Sequence, residues 1–143
     1  MKVQAMIFRN RLKASMTVIG FIVAVAAGTG AILATASGAA PLAGDATRGA
    51  QVYENNCTGC HSLDASRVGP AHRGVFGRKA GSVKDFTYSP ALKKAKFVWD
   101  AARLDTWLAN PQAFVPGAKM GFRLSDPQRR ADVIAYLKQE SGK

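Results

Sequence analysis

Metal-binding and cross-linking side chains are scarce in this chain of 143 residues, which contains two cysteines and two histidines. A four-ligand zinc site built on the two cysteines would have to draw on His61 and His72, which are the only histidines, or take a carboxylate as its fourth ligand. The sequence also lacks internal repeats, low-complexity tracts and the alternating apolar pattern of β-strands. A thiol–disulfide redox site usually follows a strand and opens a helix, and that context is missing. These absences disfavour a zinc protein, a dithiol oxidoreductase and a β-architecture.

Charge is absent between Ala14 and Gly44, although four basic residues precede this stretch. Within it lie an apolar run at 17–27 and two small-x-small sites that end at Ala36 and Ala39. This layout is typical of a secretory signal peptide, which we place at residues 1–39. Residues 14–36 are also long enough to cross a bilayer, so an uncleaved anchor and membrane tether is the alternative. Both interpretations export residues 40–143, which we predict to form one domain in the periplasm.

Acidic residues are few, with nine Asp and Glu against 20 Lys and Arg and a net charge of +11. All nine acidic residues and 16 of the basic ones follow Ala39, so the exported part carries a net charge of +7. Such a surface favours docking to acidic protein partners or to anionic membranes. Nucleic acid is disfavoured as a partner, because the chain carries an export pattern and no nucleic-acid motif.

The two cysteines lie in the run Cys57-Thr58-Gly59-Cys60-His61, which is the attachment signature of c-type haem. On a helical turn Cys57 and Cys60 share a face, so both sulfurs can form thioethers with the vinyl groups on one side of a porphyrin. His61 follows directly and can place its imidazole on the iron as an axial ligand. The motif therefore predicts one covalently bound haem c.

Helix-start signals and apolar spacing predict an all-α domain. We expect three main helices, which are opened by Asp45, by Asp100 and by a capping box of Ser125 with Gln128. The pair Ser89-Pro90 predicts a short helix that runs through Lys94. Residues 62–86 and 114–124 show no period and are predicted to be long loops. Loops of this length in a small domain are uncommon, and wrapping around a flat apolar haem explains them.

A second axial ligand can come from His72, from Met120 or from neither. Met120 is the only methionine after residue 16, and it follows the turn signal Pro116-Gly117 in a loop between helices. Apolar filler residues are usually found on the faces of helices and strands instead. His72 lies closer to the motif, in a loop rich in Gly and Pro. These positions favour Met120.

Ordered motifs from Gly44 to Lys138 resemble class I cytochromes c, which are small soluble or membrane-tethered electron carriers. After the haem motif, the resemblance rests on residues 68–70, 74–81, 86–89, 99, 110–120 and 132–138. It implies the cytochrome c fold, with three main helices, short helices and long loops around one haem. It also implies that Met120 is the sixth ligand.

Further roles are implied by the resemblance alone. The Pro70 carbonyl accepts a hydrogen bond from the His61 ring, and Phe122 lies against the exposed haem edge. A haem propionate is held by Arg78, Tyr88 and Trp99. Helix contact is expected between Gly49 and Tyr53 on the first helix and Tyr136 on the last.

Several residues depart from the family pattern, and four of them are considered for the haem pocket. His72 stands where an apolar residue normally covers the haem, and Trp107 replaces a frequent Tyr near the methionine sulfur. Ala118 replaces a Thr that often forms hydrogen bonds in the haem crevice, and Leu92 stands where an Asn often lies. These departures affect the expected reduction potential, whereas the expected ligands stay the same.

The resemblance implies a monomeric one-electron carrier, not an enzyme, that works between respiratory or photosynthetic redox complexes. Its partners are expected to be the acidic surfaces of proteins such as a cytochrome c reductase and a terminal oxidase. A positive rim around the haem edge would bind them, with the candidates Arg78, Lys79, Lys93, Lys94, Lys96, Lys119 and Arg123. Two alternatives are a dedicated cytochrome subunit of a periplasmic dehydrogenase, and a haem-based sensor or peroxidase-like protein.

Overall fold

Five helices and the loops between them make up the described chain. The structure is a computed structural model, and it describes residues 42–143. The helices are α1 (Ala46–Asn56), α2 (Pro90–Lys94), α3 (Ala101–Ala109), α4 (Pro111–Phe114) and α5 (Pro127–Ser141). Within the described range, extended pairing is limited to an isolated bridge between Lys79 and Val98. The predicted signal peptide or anchor at 1–39 lies outside the described residues.

The predicted architecture of three main helices with short helices and long loops is confirmed. None of the helices in the described part is long and apolar enough to cross a membrane. The predicted helix starts at Asp45, Ser89 and Asp100 are also confirmed. Asp45 and Asp100 each accept a hydrogen bond of 2.8 Å from the backbone N–H three residues on, at Arg48 and Arg103. Each cap thereby satisfies an N–H that the helix itself leaves without a partner.

Two details of the predicted helices are wrong. The last helix begins after Asp126, whose carboxylate accepts hydrogen bonds from the N–H groups of Gln128 and Arg129. Pro127 then occupies the first helical position, where its missing N–H costs nothing. Gln128 consequently forms no capping box with Ser125, and its amide donates to the Ala43 carbonyl and to Asp132. A four-residue helix, α4, follows Asn110 directly and takes Phe114 out of the predicted loop.

The first and last helices of the described chain, α1 and α5, pack closely against each other. A Cβ on Gly49 would lie 2.0 Å from the Asp132 carbonyl oxygen and 2.8 Å from the Tyr136 Cβ. Only glycine leaves room for this approach of the two backbones. Next to it, the rings of Tyr53 and Tyr136 lie 5.3 Å apart. The contact expected between these residues is therefore present.

The Asp132 carboxylate joins α1 to α5 through hydrogen bonds. It is almost fully buried and accepts bonds of 2.8 Å from the Asp45 N–H and from Nε and Nη2 of Arg48. A further bond of 3.0 Å comes from Gln128. The hydrogen bonds from Arg48, followed by the others, lower the pKa of Asp132 to about 2, against the tendency of burial to raise it. The ionised form is thus favoured in the folded state.

Asp132 should make the stability of the domain depend on pH in the acid range. Its pKa is about 2 when folded and 3.8 at its ordinary value. Its stabilising contribution is therefore complete above the ordinary pKa and is lost as the pH falls through the folded pKa. We expect Asp132→Asn to lower the midpoint of urea unfolding near pH 6, and this difference to shrink towards pH 2.

The matched control is Asp85→Asn, which removes the same charge from an exposed carboxylate without an ion pair in the described chain. This variant should follow the wild-type midpoint at every pH. If the urea midpoint of Asp132→Asn stayed below that of wild type by the same amount down to pH 2, the charge of the carboxylate would not contribute to the contact between α1 and α5.

Candidate haem site

A cavity of about 420 Å³ lies between the loops and helices α1, α3 and α5. All nine residues that the sequence and the resemblance assign to the site line this cavity: Cys57, Cys60, His61, Pro70, Arg78, Tyr88, Trp99, Met120 and Phe122. Apolar side chains supply much of the remaining wall, including Leu104, Leu108, Val133 and Leu137. These four side chains belong to the core of the domain, whereas Val68 and Phe122, which also line the cavity, are 77% and 40% exposed and mark its mouth.

The two cysteines border the cavity on a turn at the end of α1. The N–H groups of Cys60 and His61 donate to the Cys57 carbonyl at 3.1 and 2.9 Å, which is helical spacing. The turn therefore places Cys57 and Cys60 on one face. The two cysteines form no disulfide with each other, and burial raises the pKa of Cys57 to about 11. The apolar cavity beside the two sulfurs fits a covalent attachment site for a porphyrin.

The His61 ring is held from two sides. Its Nδ1 lies 2.8 Å from the Pro70 carbonyl oxygen, which can only accept, so Nδ1 carries the proton. Nε2 is left with a lone pair for a metal. Gly69 lies directly against the ring, because a Cβ there would be 2.0 Å from Cε1. Burial lowers the pKa of His61, and the bond to Pro70 opposes this in part.

His72 is stacked on His61, with ring centroids 4.0 Å apart and planes 19° from parallel. Its Nδ1 is buried and has no hydrogen-bond partner among the described residues, and neither has the nearby Tyr53 hydroxyl. Burial lowers the pKa of His72 well below its ordinary value, and the neighbouring His61 and Arg78 act in the same direction. His72 thus places a neutral polar ring on the cavity wall, where the resemblance implies an apolar side chain.

Arg78 provides the positive charge inside the cavity. Two of its nitrogens donate to the carbonyls of Arg73 and Ala71, at 3.0 and 2.7 Å. It has no carboxylate partner in the described part of the chain, and burial lowers its pKa. A half-buried cation without an acidic partner is suited to an anionic group bound in the cavity. Tyr88 and Trp99 lie on the same wall and are buried.

Met120 is half-buried on the cavity wall, in the segment after α4. One residue beside it was missed by the sequence reasoning. Gln112 of α4 donates from its amide to the carbonyls of Ala118 and Met120, at 2.6 and 2.9 Å. Spacing alone contains no signal for this contact, because it depends on how residues 115–120 fold back over α4.

Three residues that depart from the family pattern also lie at the site. Trp107 and Leu92 line the cavity, and Ala118 is buried.

The residues present fit a covalently bound haem. The cavity supplies two thiols on one face, an imidazole with a free Nε2 and a thioether, which are the ligand types of c-type haem proteins. The unpartnered cation suits the propionates, and the apolar wall suits the porphyrin face. Fold and cavity together define the class, a small all-α haem protein of the c type.

Comparison with known proteins agrees with this class. The family model described as cytochrome c matches residues 46–141. The chain belongs to this family, as a class I cytochrome c with a single haem. Its cofactor is therefore haem c, and it is a small electron carrier.

Relatives in bacteria and eukaryotes share most of the described chain. Cytochrome c2 of Rhodomicrobium vannielii is 46% identical over 110 residues, which cover 74% of this chain and 87% of that protein. Cytochrome c of Arabidopsis thaliana is 39% identical over 104 residues, 70% of this chain and 93% of that protein. The solved structure of cytochrome cH from Methylobacterium extorquens has a TM-score of 0.64 and 44% identity, and the match covers 67% of this chain and 99% of that one.

Proposed function

We propose that Cys57 and Cys60 hold the haem through thioethers and that His61 and Met120 are its axial ligands. The observation that carries this proposal is the convergence of these side chains on one cavity. When bound, haem c supplies one-electron chemistry, because its iron alternates between the ferrous and ferric states. Pro70 keeps the His61 proton on Nδ1, and Arg78, Tyr88 and Trp99 hold a propionate.

The geometry of His72 argues against a pair of histidine ligands. Ligands on opposite sides of one metal each lie about 2 Å from it, so the centres of two such imidazoles are well over ~4 Å apart. The rings of His61 and His72 are stacked at 4.0 Å and cannot meet that requirement. Met120 is therefore the remaining candidate for the second ligand.

We propose that the protein carries single electrons between respiratory or photosynthetic complexes in the periplasm. With His61 and Met120 as ligands on both sides, no axial position remains for a substrate, so we propose no enzymatic activity. The apolar wall excludes water and favours the less charged ferrous state, as does a methionine ligand. The export pattern of residues 1–39 supports the location, with or without the membrane tether.

Docking to partners is assigned to the mouth of the cavity. Phe122 is exposed there, and Lys119 and Arg78 line the cavity, so charge and apolar surface lie together. Exposed basic side chains elsewhere add to the positive field: Lys79, Lys93, Lys94, Lys96 and Arg123. We propose acidic surfaces of redox proteins as the partners of the monomer, since opposite charges steer encounters.

Electron-transfer rates should show this steering directly. We expect the bimolecular rate constant with an acidic redox protein, measured by stopped flow, to fall about tenfold or more between ~0.01 and ~0.3 M ionic strength. Lys119→Gln should lower the rate at low salt and flatten its salt dependence. Lys138→Gln is the matched control, because Lys138 is exposed and lines a different cavity from the haem cavity.

A rate that did not depend on salt would overturn the steering. A chain that purified only in complex with a dehydrogenase would favour the dedicated-subunit alternative, whereas a free carrier elutes as a monomer.

A further inference from the structure

The segment that carries Met120 is weakly attached to the rest of the protein. Of residues 119–123, all except Met120 are exposed. Within the described chain, these five residues make a single hydrogen bond, in which the Met120 carbonyl accepts from Gln112. The regular hydrogen bonds stop at Ala118, whose N–H donates to Val115, and resume at Leu124, whose N–H donates to Leu108.

Gln112 reaches this segment from a well-fixed base. Pro111, the first residue of α4, is among the most deeply buried side chains of the described part. At the other end of α4, the Phe114 ring lies 5.3 Å from that of Phe97. The backbone of Gln112 is therefore held by the core, although its own side chain is at the surface.

The orientation of the Gln112 amide follows from its partners. Both are carbonyl oxygens, which can only accept, so the amide nitrogen must be the atom that faces them. The Gln112 side chain thus bridges the carbonyls of Ala118 and Met120. A carboxylate of the same shape could not donate and would repel both oxygens.

We infer that Gln112 is a positioning residue that keeps Met120 in place as a ligand, an inference that rests on the proposed His61/Met120 ligation. A shift of the backbone that carries Met120 away from the metal breaks the bond from Gln112 to the Met120 carbonyl, and the bond to Ala118 holds the Gln112 amide in place for it. Their loss therefore raises the fraction of molecules in which that ligand position is open. An added ligand binds only this fraction, so its apparent affinity measures how firmly Met120 is held.

Imidazole binding to the ferric full-length protein tests the inference. We expect the apparent dissociation constant to fall roughly tenfold in Gln112→Leu and at least as much in Gln112→Glu, because two hydrogen bonds are lost. Gln112→Arg keeps N–H donors and should bind imidazole within about twofold of wild type. The ferric absorption band of the sulfur–iron bond, near the red end of the spectrum, should weaken in the first two variants only.

The matched control is Gln51→Glu, which makes the same charge change at an exposed position of α1. If Gln51→Glu shifts imidazole binding as much as Gln112→Glu, the effect is one of net charge and the inference fails. It also fails if Gln112→Leu binds imidazole no more tightly than wild type, or if Gln112→Arg binds imidazole as tightly as Gln112→Leu. A wild-type spectrum without the red band would instead overturn the proposed ligation, and the inference with it.

Discussion

Replacing Met120 with alanine is expected to abolish the red ferric band and to lower the midpoint potential by a few tenths of a volt. The band reports a sulfur–iron bond, and Met120 is the only methionine in residues 40–143. The expected drop is a sizeable part of the ~0.8 V range over which axial ligands set haem potentials. Once reduced, the variant should bind carbon monoxide at neutral pH, because one ligand position is then open.

Two further variants separate the role of the sulfur from that of packing. Met120→Leu keeps most of the side-chain volume and removes only the sulfur, so it should lose the band as completely as the alanine variant. Leu92→Ala removes a comparable volume from the same cavity and should keep the band. If Met120→Ala kept both the red band and the midpoint potential, Met120 would only pack against the haem and would not be a ligand. Ready binding of carbon monoxide to the wild-type protein would favour the sensor or peroxidase-like alternative.

Local chemistry made most of the fold predictable. Asp45 and Asp100 stand directly before apolar helical spacing, and each became the cap of its helix. The start of the last helix was wrong because Ser125 and Asp126 are both good N-cap residues. Pro127 is favoured at the first helical position, which makes the residue before it, Asp126, the cap. Helix α4 has four residues, which is too short for a periodic signal.

The candidate site was predictable where the haem motif or the family resemblance names its residues. Together the motif at 57–61 and the resemblance named nine residues, and all nine line the cavity. The contacts between distant segments were not predictable: the stacking of His72 on His61 and the reach of Gln112 to Met120. Both depend on the three-dimensional paths of loops, which carry no period and few local constraints.

Gly69 shows how closely the backbone approaches the His61 ring. A Cβ at this position would lie 2.0 Å from Cε1 and 2.5 Å from both ring nitrogens. The Gly69 backbone cannot easily withdraw, because its N–H donates to Cys60 at 2.9 Å and its carbonyl accepts from Arg67 at 2.8 Å. The ring is held in turn by the Pro70 carbonyl at 2.8 Å. The φ angle of Gly69 lies outside the left-handed region, so the constraint on a side chain at this position is one of space alone.

We therefore expect Gly69→Ala to displace His61 and to lower the haem content per polypeptide severalfold, with a loss of stability in the ~1–3 kcal/mol range of overpacked sites. Haem absorbance against protein concentration gives the first quantity, and urea unfolding gives the second. Gly142→Ala is the matched control, because the nearest atom to its new Cβ is 3.8 Å away, an ordinary contact. Full haem content and a wild-type potential in Gly69→Ala would mean that the 66–70 loop yields at little cost. The Pro70 carbonyl, on the same loop, would then not be held firmly enough to fix the His61 ring.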